Sequence, residues 1–539
     1  MGPRNKTSLS LFASMLLVLA APCWPAVPFP VDAINAKIDW KFAPRLRAAG
    51  NLLFVVDWKD GTYRLWTSDA TPAGSGLLKN LVGPATNMEE LGGALWFLNG
   101  DGGASATELW RSDGTAGGTL VVRDFGGPAL QNFRRLGDLL YLTVNLWSGC
   151  FGGSYLWSCD GAGIPNQQVP VSTQCECDLG ACWQAINSSY TVAEGRLVVA
   201  SPRTLTFDGA VIELVGQSAQ SIGHLTAAGS RVFFGASTAA AGPELWVSDG
   251  TAGGTGLVKD LNPGAEGSYP SSIRALGERV VFQSWSTPGH IQLWVTDGSD
   301  QGTSMLLDAT SQAGSPYSGW SFSLPDRVLF AFDDRIHGME PWVTDGTPEG
   351  TAMLADLWPG AFGSSPEQYF AAGDRVFFVA RDPDHGGELW ETNGTTGGTR
   401  LAADIRPGPQ DAWPWPTRSA GFTATERLLF FIADGGTGSG IWALPLREDR
   451  FRRGDSNTDG TNDISDAIAT LTDLFLDTQK IPCQKAADAN DDGAVDLSDA
   501  VFLMSHLFLG GTALNDPVVN CGVDPTPDAL TCGSFRSCP

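Results

Sequence analysis

Two stretches near the end of the chain place oxygen-bearing side chains at the same intervals. The first is Asp455-Ser-Asn457-Thr-Asp459-Gly460-Thr461-Asn462-Asp463-Ile464-Ser465-Asp466, and 33 residues later comes Asp488-Ala-Asn490-Asp-Asp492-Gly493-Ala494-Val495-Asp496-Leu497-Ser498-Asp499. Both carry Asp or Asn at positions 1, 3, 5, 9 and 12 of a twelve-residue loop, with Gly at position 6 for the sharp turn. The carbonyl of position 7 adds another oxygen. This spacing suits calcium, a hard cation that takes about six to eight oxygens at about 2.3–2.6 Å.

Each loop runs into an apolar-periodic segment, DAIATLTDLFL at 466–476 and DAVFLMSHLFL at 499–509, which predicts a helix. Charged LREDRFRRG precedes the first loop and Pro482-Cys483 the second, so the unit is a loop followed by one helix rather than a helix-loop-helix hand. Duplicated loops of this kind resemble the dockerin type I module. The resemblance implies two calcium ions, held by Asp455, Asn457, Asp459, the Thr461 carbonyl, Asp463 and Asp466, and by Asp488, Asn490, Asp492, the Ala494 carbonyl, Asp496 and Asp499. It also implies a protein partner, cohesin-like or other. Position 8, an apolar residue that pairs the loops in that family, is Val495 in the second loop and Asn462 in the first. Positions 10 and 11, which help cellulosomal dockerins recognise a cohesin, are Ile464-Ser465 and Leu497-Ser498. Arg453-Gly454-Asp455-Ser456 also spells an adhesion tetrapeptide, which is discounted because Asp455 serves as the first calcium ligand.

Upstream, one phrase recurs. Its aromatic stands at Trp66, Trp110, Trp157, Phe207, Trp246, Trp294, Trp342, Trp390 and Trp442, and from Trp246 to Trp390 the step is 48 residues each time. Arg231, Arg279, Arg327 and Arg375 keep the same step, as do Asp260, Asp308, Asp356 and Asp404. Within a unit, EQYFAAG, DRVFFVARD, GELWETN and TRLAADI read as four short strands bounded by Gly, Pro, Asp or Asn. Such a sheet leaves both faces and an edge uncovered, and radial stacking covers the faces. The fold class is therefore all-β: a β-propeller of eight to nine four-stranded blades, followed by a small helical calcium module. Asp-Gly supplies the positive φ of a tight turn, and each repeat Trp is expected to fill the wedge between blades with its indole N–H on a rim acceptor.

Residues 50–443 resemble the bacterial proteins named for their ELWxxDGT repeat, through SDGTAGGT at 112–119 and 248–255 and TDGTPEGT at 344–351. That family is named for a pattern and implies a fold, not a reaction. TSDATPAGSG at 67–76, SCDGAGIP at 158–165, TFDGAVIE at 206–213 and a last copy ending at IWALPL depart from it. Because that last copy lacks a fourth strand, INAKIDWKF at 34–42 is expected to complete it.

Residues 1–26 read as a signal peptide: Arg4 and Lys6, the apolar core LFASMLLVLA, then Ala20, Ala21 and Ala26. No later apolar run is long enough to span a membrane. The formal charge of −25, about −27 without Arg4 and Lys6, disfavours a nucleic-acid backbone as partner. In an exported chain the cysteines read as disulfides: one group at Cys150, Cys159, Cys175, Cys177 and Cys182, another at Cys483, Cys521, Cys532 and Cys538, with Cys483–Cys521 and Cys532–Cys538 the expected pairs. The chain thus divides into a leader at 1–26, a repeat body at 27–446, a linker at 447–454 and a calcium-loop module with a cysteine-bearing tail at 455–539.

No G-x-S-x-G, H-E-x-x-H or P-loop signature is present. His337 and His385 fall at repeat positions before their Trp, as loop residues do. The favoured reading is a secreted or cell-surface binding and display propeller with a calcium-dependent docking module. The alternative is a carbohydrate-active enzyme, a polysaccharide hydrolase or lyase, with Asp411-Ala-Trp413-Pro-Trp415-Pro stacking on a glycan.

Overall fold

Apolar and polar residues alternating between Gly-rich breaks become short antiparallel strands, such as Arg231–Thr238 against Gly242–Ser248. The computed structural model describes residues 28–524, 526, 530 and 532, apart from 73, 101–105, 127–128, 149–150, 161–165, 173–188, 195, 202–203, 208–209, 214–224, 286–289, 311–320, 374, 414–420, 447–449 and 477–480. The expected leader at 1–26 and Cys150, Cys175, Cys177, Cys182 and Cys538 lie outside the described residues. Among those described, the strands form seven four-stranded sheets and one of eight. The larger sheet has two halves, 86–124 and 129–172, linked through the pairing of Leu130 with Ala106.

The apolar core lies between sheets. Val232, Phe234 and Ala236 meet Val198, Ala200 and Leu205 of the preceding sheet, while Phe233 and Leu245 meet Val280 and Phe282 of the following one. Side chains alternate across a strand, so one sheet serves two interfaces. The last interface joins Phe430, Ile432 and Ala443 to Leu46, Leu53 and Val55 of the first sheet. Sheets stacked radially in a closed ring form a β-propeller.

The repeated Ser/Thr-Asp-Gly-Thr phrase folds on itself. At 344–351, the Thr347 N–H and Oγ1 both donate to Asp345 Oδ1 (2.9 and 2.7 Å), the Gly350 N–H donates to Thr347 Oγ1 (3.0 Å), and Thr351 Oγ1 donates to the Thr347 carbonyl (2.6 Å). Thr344 and Thr351 hydroxyls close the base at 2.7 Å. Gly350 must lack a Cβ, which would lie 2.1 Å from Asp345 Oδ1. Gly346 has φ +82°, and its Cβ would meet Arg279 of the preceding sheet at 2.9 Å. The repeat arginine explains that approach: Arg279 donates to the carbonyls of Asp345 (2.9 Å) and Gly346 (3.2 Å). Arg231 reaches the Asp297 carbonyl and Arg327 that of Gly394 (3.1 Å) in the same way.

Two further devices join sheets. Lys79 donates to the Thr119 carbonyl and lies 5.2 Å from the Trp110 ring, and Arg123 lies 4.6 Å from that of Trp157. The buried carboxylate two residues before the repeat Trp ties the loop that leads to the next sheet. Glu340 accepts from the N–H groups of Leu357, Trp358 and Ser364 and from the Ser364 hydroxyl. Burial pushes Glu388 up to about 8 and Glu244 up to about 7, against their hydrogen-bond donors.

Three expectations need correction. The indole N–H of Trp66, Trp110, Trp390 and Trp442 has an acceptor, but that of Trp157, Trp246, Trp294 and Trp342 is buried without one. Phe207 pairs with Val198 as Val247 pairs with Phe233, so it takes the register of Val247 rather than of Trp246. The last sheet is completed by Phe29–Pro30, paired with Ala443 and Trp442, and not by 34–42. The helical turn Asp32–Asn35 leads into that segment instead. Asn35 Oδ1 accepts from the Ile441 N–H (2.8 Å) and its Nδ2 donates to the Ile441 carbonyl (3.0 Å), so an amide side chain replaces the next ladder residue. Lys37 then donates to the Ser75 carbonyl (2.7 Å), as Lys79 does to Thr119.

Gly346→Ala should destabilise the propeller by about 1–3 kcal/mol, through left-handed strain and displacement of Arg279. Gly253→Ala, which meets nothing within 4 Å, should stay within about 0.5 kcal/mol; urea unfolding of the two variants checks the contrast. The raised carboxyls give a second expectation. Folded Glu388 and Glu244 keep protons at pH values where unfolded glutamates, at 4.5, have lost them. Their contribution is full below that value and declines as pH rises through 7 to 8. Glu388→Gln should therefore flatten the loss of melting temperature between about pH 5 and 9, and an unchanged slope would clear Glu388 as its source.

Candidate metal loops

The two loops share most of their hydrogen bonds. Asn457 Oδ1 accepts from the Asp459 N–H (2.8 Å) and Asn490 Oδ1 from that of Asp492 (3.0 Å). Asp459 Oδ1 accepts from the Thr461 N–H (2.9 Å) and Asp492 Oδ1 from that of Ala494 (3.1 Å). Asp455 and Asp488 receive the N–H groups of Gly460 and Gly493, each at 3.0 Å. Position 12 closes each loop: Asp466 accepts from Asn457 and Asp463, Asp499 from Asn490 and Asp496. Asp463 and Asp496 in turn cap the helices Ile464–Leu476 and Leu497–Leu509 through the N–H groups of Ser465 and Ser498.

Asp455, Asp466, Asp488 and Asp499 are all buried. Burial and neighbouring carboxylates push Asp466 and Asp488 up to about 6 and raise Asp455 and Asp499 as well. Among the described residues no three His, Cys, Asp or Glu side chains converge closely enough to hold an ion alone. Each loop instead offers two buried carboxylates with Asp and Asn oxygens beside them, all turned toward the loop's own amides. That donor set is all oxygen and carries unbalanced negative charge, which fits a hard cation. The expected ligands Asp455, Asn457, Asp459, Thr461, Asp463 and Asp466, and their counterparts Asp488, Asn490, Asp492, Ala494, Asp496 and Asp499, each lie along one such wrapped loop.

The residue that sequence reasoning missed is Arg453. Its side chain is fully buried, pairs with Asp491 (2.9 Å) and Asp524 (2.8 Å), and donates to the Asp488 carbonyl (2.7 Å). Lys485 also pairs with Asp524 (3.0 Å). Asp491 further accepts from Asn515 Nδ2 (3.1 Å) and Thr526 Oγ1 (2.9 Å). Arg453-Gly-Asp455 is thus interior and cannot display an adhesion tetrapeptide. Residues 451–454, read as linker, pack onto the module: Phe451 pairs with Gly522, and the Gly454 N–H donates to the Ala486 carbonyl (2.8 Å). Asn462 at position 8 donates to the Arg453 carbonyl (2.7 Å).

Cys483 is bonded to Cys532, not to Cys521, because the tail returns along Phe451 and Lys485 and carries Cys532 beside the helical turn Gln484–Ala487. The expected pair Cys532–Cys538 is thereby excluded, and Cys521 is in a disulfide of its own. The two long helices pack through Ala467, Ala500 and Leu503. Their outer faces leave apolar side chains exposed in matching pairs: Ile464 and Leu497, Ile468 and Val501, Phe475 and Phe508, Leu476 and Leu509. No described helix is long and apolar enough to cross a membrane.

On the propeller, Trp413 is 4% exposed and stacks on Phe431 at 5.5 Å, so it belongs to the core and offers no sugar platform. Trp415 lies outside the described residues. His337 and His385 hold Asp334 (2.6 Å) and Asp382 (2.7 Å) through Nδ1, and the same carboxylates accept their main-chain N–H groups. These pairs close hairpin turns.

No known family profile matches the chain, and no curated protein does. Among solved structures it is similar to a puromycin hydrolase mutant complexed with PGG, at 15% identity and TM-score 0.36, over 76% of this chain and 61% of that one. The β-propeller domain of the trilobed protease from Pyrococcus furiosus shares 12% identity, TM-score 0.35, over 67% of this chain and 98% of its own. Sqt1 from Saccharomyces cerevisiae gives 10% and 0.35, over 78% and 98%. The chain therefore spans about three fifths of the hydrolase. At TM-scores this low the likeness bears on no activity.

Removing Arg453 leaves Asp491 and Asp524 buried with less compensation. Arg453→Met should cost the module about 3–5 kcal/mol in urea unfolding. A change below about 1 kcal/mol would remove Arg453 as its hub.

Proposed function

We propose that this chain is an exported, non-catalytic display propeller of nine blades whose C-terminal module binds two calcium ions and docks a protein partner. The blade count takes the two halves of the eight-stranded sheet as one blade each. The observation that carries the functional reading is the duplication of buried carboxylates, Asp455 with Asp466 and Asp488 with Asp499, inside loops that share the hydrogen bonds of positions 1, 3, 5, 9 and 12. Asn457, Asp459, Asp463 and the Thr461 carbonyl would complete the first ligand set, and Asn490, Asp492, Asp496 and the Ala494 carbonyl the second. Calcium would balance the buried charge and hold the two helices in place. A cohesin-like or other partner would meet the paired apolar faces that begin at Ile464 and Leu497. Export accords with the leader at 1–26 and with the Cys483–Cys532 bond, which suits an oxidising compartment.

Calorimetry on the full chain should find two calcium ions. Chelation should loosen the module, exposing it to proteolysis after residue 450, while the melting temperature of the propeller holds. Asp488→Ala should harm calcium binding and module folding more than Asp455→Ala, because Val495 stands at position 8 of the second loop and Asn462 at that of the first. Binding should weaken as pH falls through 6, where Asp466 and Asp488 take up protons. Equal protease resistance with chelator and with calcium would overturn the reading, and a reversed order of the two variants would overturn the ranking.

A further inference from the structure

The Cys483–Cys532 bond closes a covalent ring with a sequence separation of 49. That ring holds the second loop, the helix Leu497–Leu509 and the tail, and leaves the first loop outside. Cys483 stands directly before the turn Gln484–Ala487, which leads into Asp488. Past Gly522, the described tail touches the second loop's side of the module: Asp524 pairs with Arg453 and Lys485, and Thr526 Oγ1 donates to Asp491. Asp491 lies between Asn490 and Asp492, and Arg453 joins it to the Asp488 carbonyl. At the same position of the first loop stands Thr458, whose backbone shares the left-handed conformation (φ +61°, against +62° for Asp491) but which carries no charge for Arg453 to hold.

Resting on the calcium reading above, we propose that the Cys483–Cys532 disulfide is a redox gate on the second loop alone. An external dithiol donates two electrons and two protons, is oxidised to its own disulfide, and leaves Cys483 and Cys532 as thiols. Past Gly522 the described tail then keeps the contacts of Asp524 and Thr526 but loses its covalent anchor, so the grip of Asp491 and Arg453 that keeps the loop in its wrapped form loosens. Calcium affinity at 488–499 drops, and the loop at 455–466 keeps its own. Linkage makes the effect reciprocal: calcium on the second loop makes the disulfide harder to reduce by the same factor.

The test uses the full-length oxidised protein and the double variant Cys483→Ser/Cys532→Ser, which leaves the disulfide of Cys521 alone. Calcium titration by calorimetry is run in an Asp455→Ala background, which reports the second loop, and in an Asp488→Ala background, which reports the first. Loss of the disulfide should weaken binding about tenfold or more in the first background and less than about twofold in the second. Equal weakening in both backgrounds, or none in either, overturns the gate. Should the double variant fold poorly, dithiothreitol titration of the wild-type chain decides the matter: calcium chloride should raise the reductant concentration needed to release the Cys483 and Cys532 thiols, and an unmoved midpoint overturns the gate. Wild-type protein that binds no calcium when oxidised overturns the calcium reading and the gate together, whereas binding that ignores the disulfide overturns the gate only.

Discussion

A guanidinium reaching across to the carbonyls of a neighbouring turn is the contact on which the propeller depends. The Asp-Gly-Thr turn satisfies its own inward groups through Asp and Thr side chains, which leaves its outward carbonyls to be met from the preceding sheet. Arg279 does this for Asp345 and Gly346, and the glycine is needed because a Cβ would occupy the space of the guanidinium. A carbonyl left without a donor is costly, so the arginine of one sheet helps to satisfy the turn of the next. Where the arginine is absent the same space is filled otherwise: Leu52 packs on Gly114. The last turn is missing altogether, and Arg375 turns to the Leu446 carbonyl at 2.6 Å.

The same logic explains the closure of the ring. The first residues of the chain have to supply what a fourth strand would have supplied, and they do so in pieces. Two residues pair as strand, Asn35 imitates the next ladder position with its amide, and Lys37 makes the cross-sheet bond that Lys79 makes elsewhere. Each piece satisfies one hydrogen-bonding group at the edge of the last sheet or on the first turn, which is all that closure requires.

The C-terminal module is organised around charge rather than apolar volume. Its core is small, built from Ala467, Ala489, Ala500, Leu503 and Leu514. Four buried carboxylates in two loops and one buried guanidinium set its shape, and the guanidinium is shared between the second loop and the tail. Burying an unbalanced charge in a small domain is unfavourable unless a partner of opposite sign is close. Arg453 is such a partner for Asp491 and Asp524: its backbone stands just before the first loop, and its side chain serves the second loop and the tail.

The 48-residue period, the turn residues and the alternation along each strand are local properties, and they carried the four-stranded sheets from sequence alone. The wrapped form of the loops at Asp455 and Asp488 is local in the same way, since each twelve-residue loop closes on its own amides. What sequence could not decide were pairings between distant residues. Cys483 could have met Cys521 as well as Cys532 until the path of the tail was known. Arg453 read as one charge in a basic run, because its partners Asp491 and Asp524 come far later in the chain. Trp413 could be read as a sugar platform, since burial depends on the sheet that packs over it. Local conformation follows from steric and hydrogen-bonding preferences of neighbouring residues, which the sequence states directly; long-range partners are chosen by which groups the folded backbone leaves unsatisfied, and only the tertiary structure shows those.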